Sequence, residues 1–114
     1  MTAFATSVDR LVNRVGLWEQ ARWWSRPVPA GSGPSDTAGS VLPTQADLLY
    51  ALVQRLADLG ADAEDRPRRP VPRVSDLVLP DQLRVIADDL IAAGPPEDVL
   101  KLATEDVDAL RHRL

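Results

Sequence analysis

The side chains able to do chemistry are few, and their spacing decides most of what they can be. The single histidine, His112, falls in the last turn of a helical pattern, where a basic side chain favours the helix C-terminus and stays solvated. A serine nucleophile would have to borrow that one imidazole as its base. With no cysteine in the chain, thiolate nucleophiles, disulfides and cysteine-based zinc sites are excluded together. Asp88 with Asp89, and Glu105 with Asp106 and Asp108, are the carboxylates that could supply an acid and base pair or ligands for a hard metal. At helical spacing they spread around an outer face, so they read as solvated surface. Gly31 and Gly33 lie among prolines rather than between a strand and a helix, which excludes a phosphate cradle. The expectation is a chain that is not an enzyme and that needs no cofactor, metal or small-molecule substrate.

Two stretches have the composition of binding surfaces instead. Trp18, Trp23 and Trp24 supply three of the five aromatic residues, and Arg22 and Arg26 stand beside them. Clustered tryptophan next to arginine suits an interface hot spot, but the same rings could close one end of the core. The second stretch is Arg66-Pro67-Arg68-Arg69-Pro70-Val71-Pro72-Arg73. Its prolines forbid helix and favour polyproline II, and its four arginines make it locally basic. It could be a docking peptide, a nucleic-acid contact, or a strap lying on the acidic C-terminal helices. The strap is the favoured reading, because those helices carry the complementary charge. The candidate partner-binding residues are therefore Trp18, Arg22, Trp23, Trp24, Arg66, Arg68, Arg69 and Arg73.

Four amphipathic helices would have to position these groups. The clearest runs from about 45 to 63: Thr44 is a good N-cap, Asp47 stands at the capping-box position, and neither glycine nor proline intervenes before Gly60. Leu48, Leu49, Leu52, Val53, Leu56 and Leu59 share a face about 140° wide, with Asp47, Gln54, Arg55 and Asp58 opposite. Gly60 is a candidate end, with Ala61 to Glu64 fraying or adding a turn. Upstream, Phe4, Val8, Leu11, Val15 and Trp18 predict a helix over about 3–24, weakened at Gly16. Downstream, Pro80 in a first turn and Leu79, Leu83, Ile86, Ala87, Leu90 and Ile91 on one face predict a helix over 79–93. Gly94, Pro95 and Pro96 stop it, and Val99, Ala103, Val107, Leu110 and Leu114 form the stripe of a fourth helix over 96–113. The short connection predicts that the third and fourth helices are neighbours. Tyr50, Val85 and Leu102 fall outside all of these stripes and read as isolated exposed residues.

The chain thus reads as one all-α domain over 1–114, a small four-helix bundle with two proline-rich linkers. One is a flexible linker over about 26–43, and the other is the Arg/Pro-rich connector over about 65–75. Its 114 residues suit a single core, and its hydrophobic fraction of 45% is that of a folded protein. The net charge of −4 is concentrated in residues 76–114, where nine acids face four bases. That balance disfavours a phosphate backbone as partner and gives no support for an anionic membrane. No apolar run approaches the roughly 20 residues of a membrane span, and no basic and apolar leader opens the chain, so a cytoplasmic location is expected. Only Lys101 among the thirteen basic residues is lysine, a bias associated with GC-rich bacterial genomes. Four short helices and an acidic surface resemble acyl carrier proteins in outline, but Val74-Ser75-Asp76-Leu77 does not have the Asp-Ser-Leu order around an attachment serine. The function expected is protein–protein interaction, as an accessory or adaptor subunit or by self-association. The alternative is a DNA-binding transcriptional regulator that uses the Arg/Pro-rich arm.

Overall fold

The computed structural model describes residues 3–16 and 43–114. Among them are four α-helices, α1 (Ala3–Val15), α2 (Gln45–Ala63), α3 (Leu79–Ala92) and α4 (Glu97–Arg113), and one 3₁₀ turn, Asp76–Val78. The described residues form no strand, so the fold is all-α, and the last three helices start and stop within one residue of their expected limits. The first agrees from Ala3 to Val15. Its expected continuation to residue 24, the linker over 26–43 and the candidate residues Trp18, Arg22, Trp23 and Trp24 lie outside the described residues.

Local signals explain where α2 begins and ends. Thr44 and Asp47 form a reciprocal capping box: Asp47 N–H donates to Thr44 Oγ1 at 3.1 Å, and Thr44 N–H donates to the Asp47 carboxylate at 2.9 Å. At the other end the helix continues through Gly60, which is buried against Leu90. It closes when Arg66 N–H reaches Ala61 O at 2.8 Å and Asp65 N–H reaches Asp62 O at 3.2 Å. This is a Schellman closure, and Asp65 occupies its left-handed position with φ 55°.

Each helix buries its apolar stripe in one core. Phe4, Val8, Leu11 and Val15 of α1 meet Leu49, Leu52, Val53 and Leu56 of α2, Leu79, Leu83, Ala87 and Leu90 of α3, and Ala103, Val107 and Leu110 of α4. Each large side chain among them contributes about 1.5–3 kcal/mol by leaving water. Ile91 departs from expectation: it is 37% exposed at the edge of the α3 stripe.

The helices pack as α1 on α4, α4 on α2, α2 on α3 and α3 on α1, whereas α1 and α2, like α3 and α4, lack extensive contact. The expectation that the third and fourth helices are neighbours is therefore corrected. Gly94 at φ 62° and the extended Pro96 carry the chain across the bundle, so α4 buries its stripe against α1 and α2 instead. A short connection limits how far apart two helix ends can lie, but not which partners their apolar faces choose.

Candidate interaction site along the second helix

The Arg/Pro-rich segment, residues 66–74, doubles back along α2 immediately after the Asp65 turn. It is a strap, but it lies between α2 and α3 rather than on the two acidic C-terminal helices, and most of its ion pairs go to α2 and its C-cap. Arg73 pairs with Asp47 in the first turn of α2 at 2.8 Å, and Arg68 makes a bidentate pair with Asp62 in the last turn at 2.6 and 3.0 Å. Arg66 pairs with Glu64 at 2.6 Å, and Arg73 reaches Asp76 of the 3₁₀ turn at 3.3 Å. The correction has a simple cause. The chain reverses at Asp65, so the first acids the arginines meet are those of the helix they have just left.

Side chains of α2 and α3 hold the peptide groups in the middle of the strap, at Arg69, Val71 and Pro72. Gln54 accepts from Val71 N–H at 2.7 Å and donates through its Nε2 to Arg69 C=O at 3.0 Å, so one amide grips both sides of the strap residue between them. The same Nε2 also donates to Asp58 at 2.9 Å. Tyr50 donates its hydroxyl to Val71 C=O, and Arg73 stacks over the Tyr50 ring 5.0 Å from its centre. From α3, Gln82 donates to Pro72 C=O at 3.0 Å. Val71 is the strap's one core residue, 8% exposed.

A geometric match underlies these contacts. Asp47, Tyr50 and Gln54 succeed one another by about one helical turn, a rise of about 5.4 Å. Their partners Arg73, Val71 and Arg69 succeed one another by two residues, about 6.2 Å in polyproline II. Successive turns of α2 therefore meet alternate residues of the strap. The strap ends where α2 began, so α3 starts at that end and runs in the same direction, and Leu90 comes to lie opposite Gly60.

Sequence reasoning missed Tyr50 and Gln54. Tyr50 fell outside the apolar stripe and Gln54 fell on the polar face, yet both are half-buried under the strap. The available signal was their spacing beside Asp47, followed by an extended segment whose few N–H groups had to find acceptors.

Electrostatics follow the same pairs. The Thr44 backbone N–H, with Arg73 behind it, holds the Asp47 carboxyl below the usual carboxylate range, against an opposing contribution from burial. Arg68 does the same to Asp62. Of the strap's arginines, Arg69 has a guanidinium with no partner among the described residues and is exposed. Beyond the strap, Val74 and Leu77 are 57% and 53% exposed.

Elsewhere, an open hollow of about 590 Å³ lies between the start of α1 and α4, walled by Phe4, Leu100 and Thr104 and rimmed by Glu97, Lys101 and Glu105. Val85 and Leu102 are exposed, as expected. Among the described residues no three His, Asp or Glu side chains gather where they could hold a metal. No described helix is long and apolar enough to cross a membrane. Compared with known proteins, the chain matches no family model, no curated protein and no solved structure.

Proposed function

We propose that this chain is a non-enzymatic protein–protein interaction module, an accessory, adaptor or self-associating subunit, and that the strap and the 3₁₀ turn after it present its contact surface. The observation that carries this reading is the contrast along residues 66–78. Tyr50, Gln54 and Gln82 hold the irregular backbone through Arg69, Val71 and Pro72, while Val74 and Leu77 keep more than half of their surface in water. A segment ordered before binding loses less entropy on association, and exposed branched side chains at its end are what such an interface would bury. The regulator reading draws less support, since Arg66, Arg68 and Arg73 already face carboxylates.

The test is capture from a bacterial lysate with and without nuclease, repeated with Val74→Ser/Leu77→Ser and with Trp23→Ala/Trp24→Ala. A near-stoichiometric protein that survives nuclease and is lost with the first double variant, helicity being unchanged, supports the surface named here. Loss only with the tryptophan variant moves the contact to the other candidate stretch. Loss of all captured protein on nuclease treatment, together with steep salt dependence, replaces the reading with the nucleic-acid one.

A further inference from the structure

We propose that the groove between α2 and α3 is a reader of extended, proline-flanked peptides, that the strap is its resident ligand in cis, and that a partner's segment of the same chemistry can take its place. That chemistry is a β-branched aliphatic residue between prolines, followed by arginine, as in Pro70-Val71-Pro72-Arg73. The proposal names a partner class for the interaction reading above and rests on it.

Three observations carry it. First, four of the contacts that hold the strap go to backbone atoms: Gln54 to Val71 N–H and Arg69 C=O, Tyr50 to Val71 C=O, and Gln82 to Pro72 C=O. Any extended chain offers those atoms in that spacing, and the turn-to-two-residues match puts them in reach of Tyr50 and Gln54. Second, selectivity is confined to two seats. Val71 enters the core beside Leu56 and Leu90, and Arg73 lies between the Tyr50 ring and the carboxylates of Asp47 and Asp76. Third, the strap does not fill its groove. A hollow of about 250 Å³ remains between it and the helices, walled by Leu56, Ala57, Gly60, Ile86 and Leu90. A structural plug would be expected to fill that space. A larger aliphatic residue in trans could use it.

The strap competes from an effective concentration in the millimolar range or above, because it is tethered at both ends. An external peptide therefore gains access when the strap opens locally, an event that breaks the strap's hydrogen bonds, its partly exposed ion pairs and one valine seat but leaves the helix–helix core in place, and so lies below global unfolding.

The probe is a fluorescent peptide with the sequence of residues 66–75, titrated into the full chain by anisotropy. Val71→Gly, which empties the seat in cis, should bind it at least tenfold more tightly than the wild type. Adding Gln54→Ala to that variant should weaken binding at least tenfold, and a peptide carrying Val71→Asp should not bind. Absence of binding by a folded Val71→Gly chain overturns the proposal. So does binding indifferent to Gln54→Ala and to the peptide's Val71→Asp change, which would be charge attraction alone. Should Val71→Gly not fold, wild-type chain in millimolar peptide decides: concerted shifts of the Val71 amide and the Gln54 side-chain amide support the groove, and their absence refutes it. A protein partner captured without peptide binding would keep the interaction reading and remove the groove from it. Peptide binding without a captured partner would do the reverse.

Discussion

Gln54 does with one side chain what a neighbouring strand would do with its backbone, accepting from Val71 N–H and donating to Arg69 C=O. Removing it leaves a partly buried amide without an acceptor, so Gln54→Ala should cost about 1–2 kcal/mol in urea denaturation. The local consequence should be larger than the global one, with the Val71 amide losing most of its hydrogen-exchange protection while amides inside α3 keep theirs. Equal loss across the bundle would show that the strap and the core open together. Asp47 couples the same strap to the helix start, because its carboxylate serves both Thr44 N–H and Arg73. Its folded pKa lies below its ordinary value, so its contribution is fully present above about pH 4 and is lost as pH falls through the depressed value. Asp47→Asn should therefore lower stability at neutral pH and flatten the acid limb of a stability profile measured between pH 2 and 5. A variant whose acid limb matches the wild type would assign that limb to other carboxylates.

At the scale of elements, two positions at the C-terminal end of α2 make opposite demands on glycine. Asp65 sits at φ 55° in the position of a Schellman closure that glycine usually fills, so Asp65→Gly should stabilise the chain by about 0.5–1 kcal/mol. Gly60 has ordinary helical geometry, and a methyl group there would stand 3.9 Å from Leu90 Cα, in normal contact. Gly60→Ala should likewise raise the thermal midpoint, by removing a helix penalty of about 1 kcal/mol. A fall in midpoint would mean that α2 and α3 pack more closely at Gly60 than this spacing, with no room for the methyl. The helix limits also show what was legible beforehand. The span of α2 could be read because its cap and its Leu-rich stripe are local patterns, and the stops at Gly94 to Pro96 are local as well. The strap's bed was not legible in the same way. Charge complementarity named the acidic helices, whereas the deciding facts were the reversal at Asp65 and the match between one helical turn and two extended residues. Tyr50 and Gln54 looked like solvent-facing residues for the same reason, since a wheel drawn for one helix leaves out the segment that returns along it.

At the scale of the whole bundle, the packing order α1, α4, α2, α3 gives each described helix two neighbours among the described residues and no independent pair, so these four helices have no natural line of division. Two interhelical ion pairs among the described residues follow the same order, Arg84 with Asp9 tying α3 to α1 at 2.9 Å and Arg55 with Asp106 tying α2 to α4. Both are largely exposed, so each adds at most about 1 kcal/mol, and removing either should leave the fold intact. The core decides stability. Leu11 of α1 and Leu83 of α3 are fully buried on different helices of that ring. Leu11→Ala and Leu83→Ala should each cost about 2–5 kcal/mol. Because every helix closes the ring, both should lower one shared transition rather than split it. Far-UV circular dichroism and urea gradients on the two variants can check this, with coincident midpoints and an unchanged denaturant slope expected. A biphasic curve for Leu11→Ala alone would mean that α1 docks onto a three-helix unit of α2, α3 and α4 that is stable by itself. The strap and its groove would then belong to that smaller unit, and peptide binding should survive the loss of α1.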